Sequence, residues 1–317
     1  MKANVWKRIL GILVFLGIIL AAAYFISANE NEQSTLTPEV RATLPGQFVT
    51  LPEGVVHYEL AGPDGAPVVV LVHGFSVPYY IWDPTFEALT KAGFRVLRYD
   101  LYGRGYSDRP DVDYSLELFT RQLEELLSAL EVEQPIVLVG LSFGGSIVAR
   151  YASDHPEQVR GLVLIDPQVA PVSTDDIFPL NLPGVGEYIM SVYMAPYMLP
   201  ESQADDFYRP ERFPDWEAKY RAQMQYKGFK RAILSSIRNM VGLYPLADYR
   251  AIGQGNLPAM LIWGQEDQTI SATEIDLVRE AFPKAEFHAI AEAGHLPPYE
   301  QAGVVNPLLI GFLMPLR

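Results

Sequence analysis

The sequence predicts an α/β fold with a mostly parallel central β-sheet and helices on both of its faces. Continuous apolar runs, such as residues 68–72, are typical of strands buried on both faces, and they alternate with segments of helical spacing. An early pair of strands precedes this alternation and indicates an antiparallel hairpin. The chain has 317 residues, of which 49% are hydrophobic, so it can bury a sizeable core.

Residues 9–26 form an apolar run without a charged side chain. As a helix this run would reach about 27 Å, close to the hydrocarbon thickness of a bilayer. Basic side chains precede it and acidic ones follow it, which favours an N-terminus in the cytoplasm. Residues 1–28 are therefore predicted to be a transmembrane helix that anchors the chain. The alternative is a signal peptide cleaved near Ile26-Ser27-Ala28.

A polar segment with two prolines, residues 29–45, follows as a predicted linker. Residues 46–317 then form the globular domain. With an anchor this domain would lie on the extracytoplasmic side of the cell membrane, and with cleavage it would be secreted.

Within residues 46–317 the predicted elements follow one another in a regular order. Pro52-Glu53-Gly54 joins the first two strands as a hairpin turn. The strands are predicted near residues 47–51, 55–60, 68–72, 94–100, 136–139, 162–166, 259–263 and 286–290. The helices of the alternating part are predicted near residues 115–130, 147–152, 272–282 and 297–313.

The alternation stops between residues 167 and 247, where the chain is rich in Pro, Tyr and Met. Two helices are predicted there, near residues 215–226 and 229–240. We interpret this stretch as a helical cap inserted into the α/β domain. Its apolar side chains either line an acyl pocket or pack the cap onto the sheet. These side chains are Phe178, Tyr188, Met190, Tyr193, Met194, Tyr197 and Met198.

Composition excludes several classes of function. The formal net charge of −14 argues against a nucleic-acid partner, because phosphate binding requires a basic surface. The absence of cysteine excludes disulfides, thiolate nucleophiles and cysteine-ligated metals. No metal-ligand spacing, phosphate loop or dinucleotide fingerprint is present, so neither a metal nor a cofactor is predicted. The oligomeric state stays open.

The segment Gly140-Leu141-Ser142-Phe143-Gly144 joins a buried strand to a helix. A strand, a tight turn and a helix in this order place Ser142 at the top of the turn, and the two glycines allow the chain to fold so closely. A serine hydroxyl is a weak nucleophile at neutral pH. It needs a base to take its proton and an acid to orient that base.

Candidates for the base and the acid lie at strand ends. Among the five histidines, His295 follows the last strand, whereas His288 lies inside that strand and is predicted to be buried. Asp267 follows the penultimate strand and is the favoured acid. Glu266 is its neighbouring competitor, and Asp166 is a third candidate for which a loop-capping role fits better.

These motifs resemble the α/β-hydrolases, in the chain order Ser…Asp…His that this family uses. His73-Gly74-Phe75-Ser76 resembles the oxyanion loop of the family. The resemblance implies that the backbone N–H groups of Phe75 and Phe143 bind the oxyanion and that His73 shapes the loop. Epoxide hydrolases and haloalkane dehalogenases of this fold resemble residues 100–110 but use an aspartate nucleophile where this chain has Ser142.

The resemblance therefore implies a serine hydrolase that cleaves small-molecule carboxylic esters, favouring lipophilic ones, through an acyl-enzyme. The alternative is hydrolysis of a carbon–carbon bond in a diketone-like acid by the same triad. That reaction requires an arginine for the substrate carboxylate, and the candidates are Arg209, Arg212, Arg231 and Arg238. A non-catalytic binding protein on this fold is the third hypothesis.

Overall fold

One β-sheet organises the globular part of the computed structural model, which describes residues 2–30, 32–132 and 135–317. Its strands are β1 (Gln47–Leu51), β2 (Gly54–Ala61), β3 (Val68–Val72), β4 (Arg95–Tyr99), β5 (Ile136–Leu141), β6 (Val159–Ile165), β7 (Ala259–Gly264) and β8 (Glu286–Ile290).

The strands lie in the order β1-β2-β4-β3-β5-β6-β7-β8. The pairs β1–β2 and β2–β4 are antiparallel, and the remaining pairs are parallel. This arrangement confirms the predicted mostly parallel sheet that begins with an antiparallel hairpin. Parallel strands end at the same edge of a sheet, so the loops after β3, β5, β7 and β8 meet there.

The side chains of β3 show why the strand sequences lack polar positions. Val68, Val70 and Val72 join the apolar core on one face of the sheet, and Val69 and Leu71 join the core on the other face. Successive side chains of a strand point to opposite faces. Both faces are covered here, and therefore every position of the strand must be apolar.

The helices that cover the sheet agree in part with the predicted ones. α3 was not predicted, although the burial of Phe86 and Leu89 gives it an apolar face. The predicted helix over residues 297–313 is divided into two helices at Gln301. The α-helices are α1 (Lys2–Glu30), α2 (Pro38–Arg41), α3 (Asp83–Lys91), α4 (Leu116–Ala129), α5 (Phe143–Asp154), α6 (Val185–Ile189), α7 (Leu199–Glu201), α8 (Trp216–Met224), α9 (Phe229–Asn239), α10 (Leu246–Gly253), α11 (Ala272–Ala281), α12 (Pro297–Glu300) and α13 (Ala302–Leu313).

The chain between β6 and β7, residues 166–258, contributes no strand to the sheet among its described residues, and we refer to it as the insert. It contains α6 to α10 and the π-helical segment Met190–Met198. The predicted helices near residues 215–226 and 229–240 correspond to α8 and α9. The π-helical segment was not predicted, and Pro196 lies within it.

The C-terminal end of α1 contacts the insert. Tyr24 stacks on Tyr188 with ring centroids 6.3 Å apart, and the buried Ser27 hydroxyl donates to the carbonyl of Ser191. In the part of the chain that the structure describes, no helix combines the length and the apolar character that crossing a membrane requires. The predicted transmembrane anchor is therefore not confirmed.

Residues of the predicted linker lie against the globular domain. The N–H of Ser34 donates to the carbonyl of Gln225 at 2.9 Å, and the carbonyl of Ser34 accepts from Lys227 at 2.9 Å. Further along, the carbonyl of Pro45 lies 2.8 Å from Nε2 of His57. This segment therefore has defined partners both in the insert and in the sheet.

Glu300 of α12 connects the insert to the loop after β8. Its carboxylate is 5% exposed and accepts backbone N–H groups from Gly294 at 2.9 Å, Tyr208 at 3.0 Å and Arg209 at 2.8 Å. Nothing in the sequence singled out this residue, because two of its three partners, Tyr208 and Arg209, lie more than 90 residues away in the chain.

Replacement of Glu300 by alanine should lower the free energy of unfolding by about 2–4 kcal/mol, because it leaves three N–H groups without an acceptor. Denaturant titration measures this change. Glu201→Ala removes an exposed carboxylate of the same insert and should stay within about 0.5 kcal/mol of the parent. Equal stability of the two variants would contradict the role assigned to Glu300.

Candidate active site

Ser142 lies between the end of β5 and the start of α5 with φ 54° and ψ −122°. Such a positive φ costs a non-glycine residue about 1–3 kcal/mol and persists only where the surroundings enforce it. Here the N–H of Ser142 donates to Ile165 at 3.0 Å, and its carbonyl accepts from Gly145 at 2.8 Å and Gln168 at 3.1 Å. The turn is therefore fixed from both sides, with the serine side chain at its top.

The glycines on either side of this turn are required by close backbone approaches. A Cβ atom on Gly140 would collide with the backbone of Gly144, and one on Gly144 would collide with the carbonyl oxygen of Val72. The structure thus has the strand, tight turn and helix that the sequence predicts around Ser142.

The loop after β3 passes directly beside Ser142. A Cβ atom on Gly74 would lie 3.1 Å from Cβ and 3.7 Å from Oγ of Ser142. Phe75 follows in this loop, and Phe143 is the first residue of α5. Within the described ranges, the N–H groups of Phe75 and Phe143 have no backbone acceptor. Two such free donors beside a nucleophile are the groups that a developing oxyanion requires.

His73 is a structural residue of the same loop. Its Nε2 accepts the N–H of Leu101 at 3.0 Å, and its Nδ1 donates to the carbonyl of Gly74 at 2.9 Å. Complete burial lowers the pKa of His73 to about 4, so the ring is neutral at ordinary pH. This geometry agrees with the expectation that His73 shapes the loop.

His295 and Asp267 form a buried pair at the ends of β8 and β7. Nδ1 of His295 lies 2.8 Å from Oδ2 of Asp267, and the two residues are 6% and 9% exposed. Oδ1 of Asp267 accepts the N–H groups of Thr269 at 2.7 Å and Ile270 at 3.1 Å. With the carboxylate fixed and Nδ1 occupied, Nε2 is the ring atom of His295 that can exchange a proton.

Carboxyl groups control the charge of His295. Burial disfavours the imidazolium, but the hydrogen bond and charge of Asp267, with the charges of Asp206 and Asp166, outweigh it and raise the pKa of His295 to about 9.

Glu266 and Asp166, the two other candidates for the orienting acid, lie in environments that differ from that of Asp267. Glu266 is exposed. Asp166 is fully buried, and its Oδ1 accepts the N–H of Gly264 at 3.0 Å. Burial and the charge of Asp267 raise the pKa of Asp166 well above its usual range. Donor atoms of Asp166, Asp267 and His295 lie within 4.8 Å of one another, but the His295–Asp267 hydrogen bond already uses two of them.

Two further residues have structural roles. Asp100 accepts the N–H groups of Tyr79 at 2.8 Å and Tyr106 at 2.9 Å, and so orders the neighbouring turn. The predicted burial of His288 is wrong. Its side chain is partly exposed and pairs with Glu286 at 2.7 Å, because β8 is an edge strand of the sheet.

A cavity of about 360 Å³ contains both Ser142 and His295. Phe75 and Leu141 line it from the sheet side, and Leu199 from the insert. Polar lining residues of the insert are Ser202, Gln203, Asp205 and Asp206.

None of the seven apolar residues predicted for an acyl pocket lines this cavity. Met190 and Met194 pack in the core, whereas Phe178, Tyr193 and Tyr197 are exposed. Met190 and Met194 therefore pack the insert onto the rest of the domain and do not form an acyl pocket. Only one face of a helical segment can line a cavity, and the composition of the segment does not indicate which residues lie on that face.

The four arginines considered for a substrate carboxylate also lie away from this cavity. Arg209 pairs with Glu292 at 3.1 Å, Arg231 with Asp111 at 2.5 Å and Arg238 with Glu187 at 2.7 Å. Arg212 is exposed. A larger cavity of about 700 Å³ includes Arg231 and Arg238 but neither Ser142 nor His295.

Asp206 is the site residue that sequence reasoning missed. Its carbonyl accepts the N–H of His295 at 2.8 Å, and its carboxylate raises the pKa of that histidine. The adjacent acidic pair Asp205-Asp206 was the only signal in the sequence, and no strand end or motif marks it.

Three curated proteins share most of their length with this chain. The AB hydrolase superfamily protein YfhM of Bacillus subtilis is 27% identical over 297 residues, covering 84% of this chain and 97% of that protein. Lipase 1 of Psychrobacter immobilis is 26% identical, with coverages of 87% and 86%. The 2-hydroxy-6-oxononadienedioate/2-hydroxy-6-oxononatrienedioate hydrolase of Paraburkholderia xenovorans is 26% identical, with coverages of 84% and 94%.

The fold agrees with solved structures. The crystal structure of the enol-lactonase from Burkholderia xenovorans matches with a TM-score of 0.73 at 22% identity, covering 84% of this chain and 100% of that chain. The profile of the alpha/beta hydrolase fold family matches residues 67–302. The chain therefore belongs to the α/β hydrolase fold family.

Proposed function

We propose that the protein is a serine hydrolase that cleaves carboxylic esters through an acyl-enzyme. The observation that carries this proposal is that one cavity is lined both by Ser142, in its strained turn, and by His295, which is hydrogen-bonded to Asp267 at 2.8 Å. Nucleophile, base and orienting acid are the three groups that acyl transfer needs.

In the proposed reaction, Oγ of Ser142 attacks the ester carbonyl while Nε2 of His295 takes the hydroxyl proton. The N–H groups of Phe75 and Phe143 bind the negative oxygen of the tetrahedral intermediate. The intermediate collapses to the acyl-enzyme as His295 returns the proton to the departing alkoxide. Water, activated by His295, then attacks the acyl group and regenerates Ser142.

Apolar lining favours a lipophilic acyl group. Phe75, Val77, Leu141, Leu199 and Leu296 line the cavity. Its volume of about 360 Å³ is at the small end of the usual range for ligand pockets. Residues 199–206 of the insert form one wall, which supports the proposal that the insert acts as a cap over the site.

Hydrolysis of a carbon–carbon bond is the second candidate. The relative from Paraburkholderia is named for a hydrolase of dicarboxylic acids, which favours this candidate. The cavity opposes it, because its described lining includes Asp205 and Asp206 but no lysine or arginine to bind a substrate carboxylate. We therefore rank ester hydrolysis first.

Location outside the cytoplasm stays a prediction. The basic side chains before residues 9–26 and the acidic ones after them support it.

A fluorophosphonate probe should label the protein at Ser142, and Ser142→Ala should abolish labelling and reduce ester hydrolysis by about 10³-fold or more. Peptide mapping of the labelled protein identifies the site. Ser128→Ala changes an exposed serine of α4 and serves as the control. Labelling of Ser142→Ala at the parent rate would refute the assigned nucleophile.

The kcat/KM for a neutral ester should rise with pH up to about 9. His295 accepts the serine proton only as a neutral imidazole, and its pKa is raised to about 9, so the fraction of competent enzyme grows through this range. This rise is measured as a profile of kcat/KM against pH. A profile already flat from pH 6 upward would show that another group controls the rate.

Esters of hexanoic acid should be hydrolysed with a kcat/KM at least 100-fold above that for a vinylogous diketone acid. The physical reason is the absence of a cationic partner for the acid in the described cavity lining. Parallel steady-state assays compare the two substrates. The reverse preference would make carbon–carbon hydrolysis the principal activity.

A further inference from the structure

We propose that Asp206 determines substrate charge: it excludes acyl groups that carry a negative charge, so that the substrates are neutral or cationic esters. This inference rests on the proposed ester hydrolysis and specifies its substrate class.

Asp206 is held beside the catalytic loop by its backbone. It ends the 3₁₀ turn Ser202–Asp206, and its carbonyl accepts the N–H of His295 at 2.8 Å. A Cβ atom on Gly294 would lie 2.6 Å from the same carbonyl oxygen, so the two segments are in close contact. Asp206 therefore keeps a fixed position in the cavity wall, next to the group that handles the proton.

Among the described residues, His295 is the one cationic group that acts on the carboxylate of Asp206. No lysine or arginine of the described chain forms an ion pair with it, and none lines the cavity. Asp205 adds a second acidic side chain to the same wall. An acyl group that enters between this wall and Ser142 therefore comes close to negative charge, and the two like charges repel each other.

The charge of Asp206 depends on pH. Burial raises the pKa of Asp206 to about 6, with His295 opposing the rise and Asp267 and Asp205 adding to it. Tyr220 of α8 also faces this carboxylate. Above pH 6 the carboxylate is ionised and repels an anion, and below pH 6 this repulsion fades.

A role limited to tuning His295 has a different consequence. Removal of the Asp206 charge destabilises the imidazolium and lowers the pKa of His295, which changes the turnover of all esters alike. The ratio of kcat/KM between an anionic and a neutral ester of equal acyl length cancels this shared effect. A change in this ratio therefore reports only the exclusion of negatively charged acyl groups.

The test uses the full chain with 4-nitrophenyl hexanoate, the mono-4-nitrophenyl ester of adipic acid and the 4-nitrophenyl ester of 6-(trimethylammonio)hexanoic acid. At pH 8 the parent should favour the neutral and cationic esters over the adipate. Asp206→Asn should raise the adipate-to-hexanoate ratio at least tenfold, whereas Asp206→Glu should keep it low. Asp215→Asn, which neutralises an exposed carboxylate of the insert, should leave the ratio at the parent value.

Lowering the pH from 8 to 6, a range in which the carboxylate of the adipate ester stays ionised, should raise the same ratio in the parent protein, which tests the inference without any substitution. A ratio in Asp206→Asn within twofold of the parent, or a pH-independent parent ratio, would overturn the inference while ester hydrolysis stands. Absence of turnover for all three esters, together with unlabelled Ser142, would overturn the proposed function and this inference with it.

Discussion

The contact between the start of α5 and the end of β3 is the constraint on which the site depends. Gly144 sits against the carbonyl of Val72, and no side chain fits between them. Ser142 has its positive φ in the same turn, and the loop that contains Gly74 lies beside it. The close approach of two backbones thus accompanies the placement of the nucleophile next to the loop that carries Phe75.

The charge balance of the site comes from three carboxyl groups around one imidazole. Asp267 is hydrogen-bonded to His295, burial raises the pKa of Asp166 well above its usual range, and burial raises the pKa of Asp206 to about 6. One acid therefore orients the base, while Asp206 lines the cavity.

The sequence predicted those parts of the site that depend on local pattern. Ser142, Asp267 and His295 each follow a strand of the parallel part of the sheet, and parallel strands bring their ends together, so the pattern of strands was sufficient to bring the three into one region. Asp206 and Glu300 were missed because they act on His295 and on residues 208 and 209, respectively, through backbone hydrogen bonds between segments that are distant in the chain. The orientation of residues 190–198 was also missed, since a π-helical segment does not follow the ordinary helical period.

The contacts of the segment before the domain have a practical consequence for expression of a recombinant fragment. A chain shortened to begin at residue 46 would lack the Pro45 carbonyl beside His57 and the Ser34 hydrogen bonds to Gln225 and Lys227. Two of these lost partners belong to the insert, which also carries Asp206. The N-terminal boundary of a recombinant fragment should therefore lie before Ser34, so that the wall of the cavity keeps its outer support.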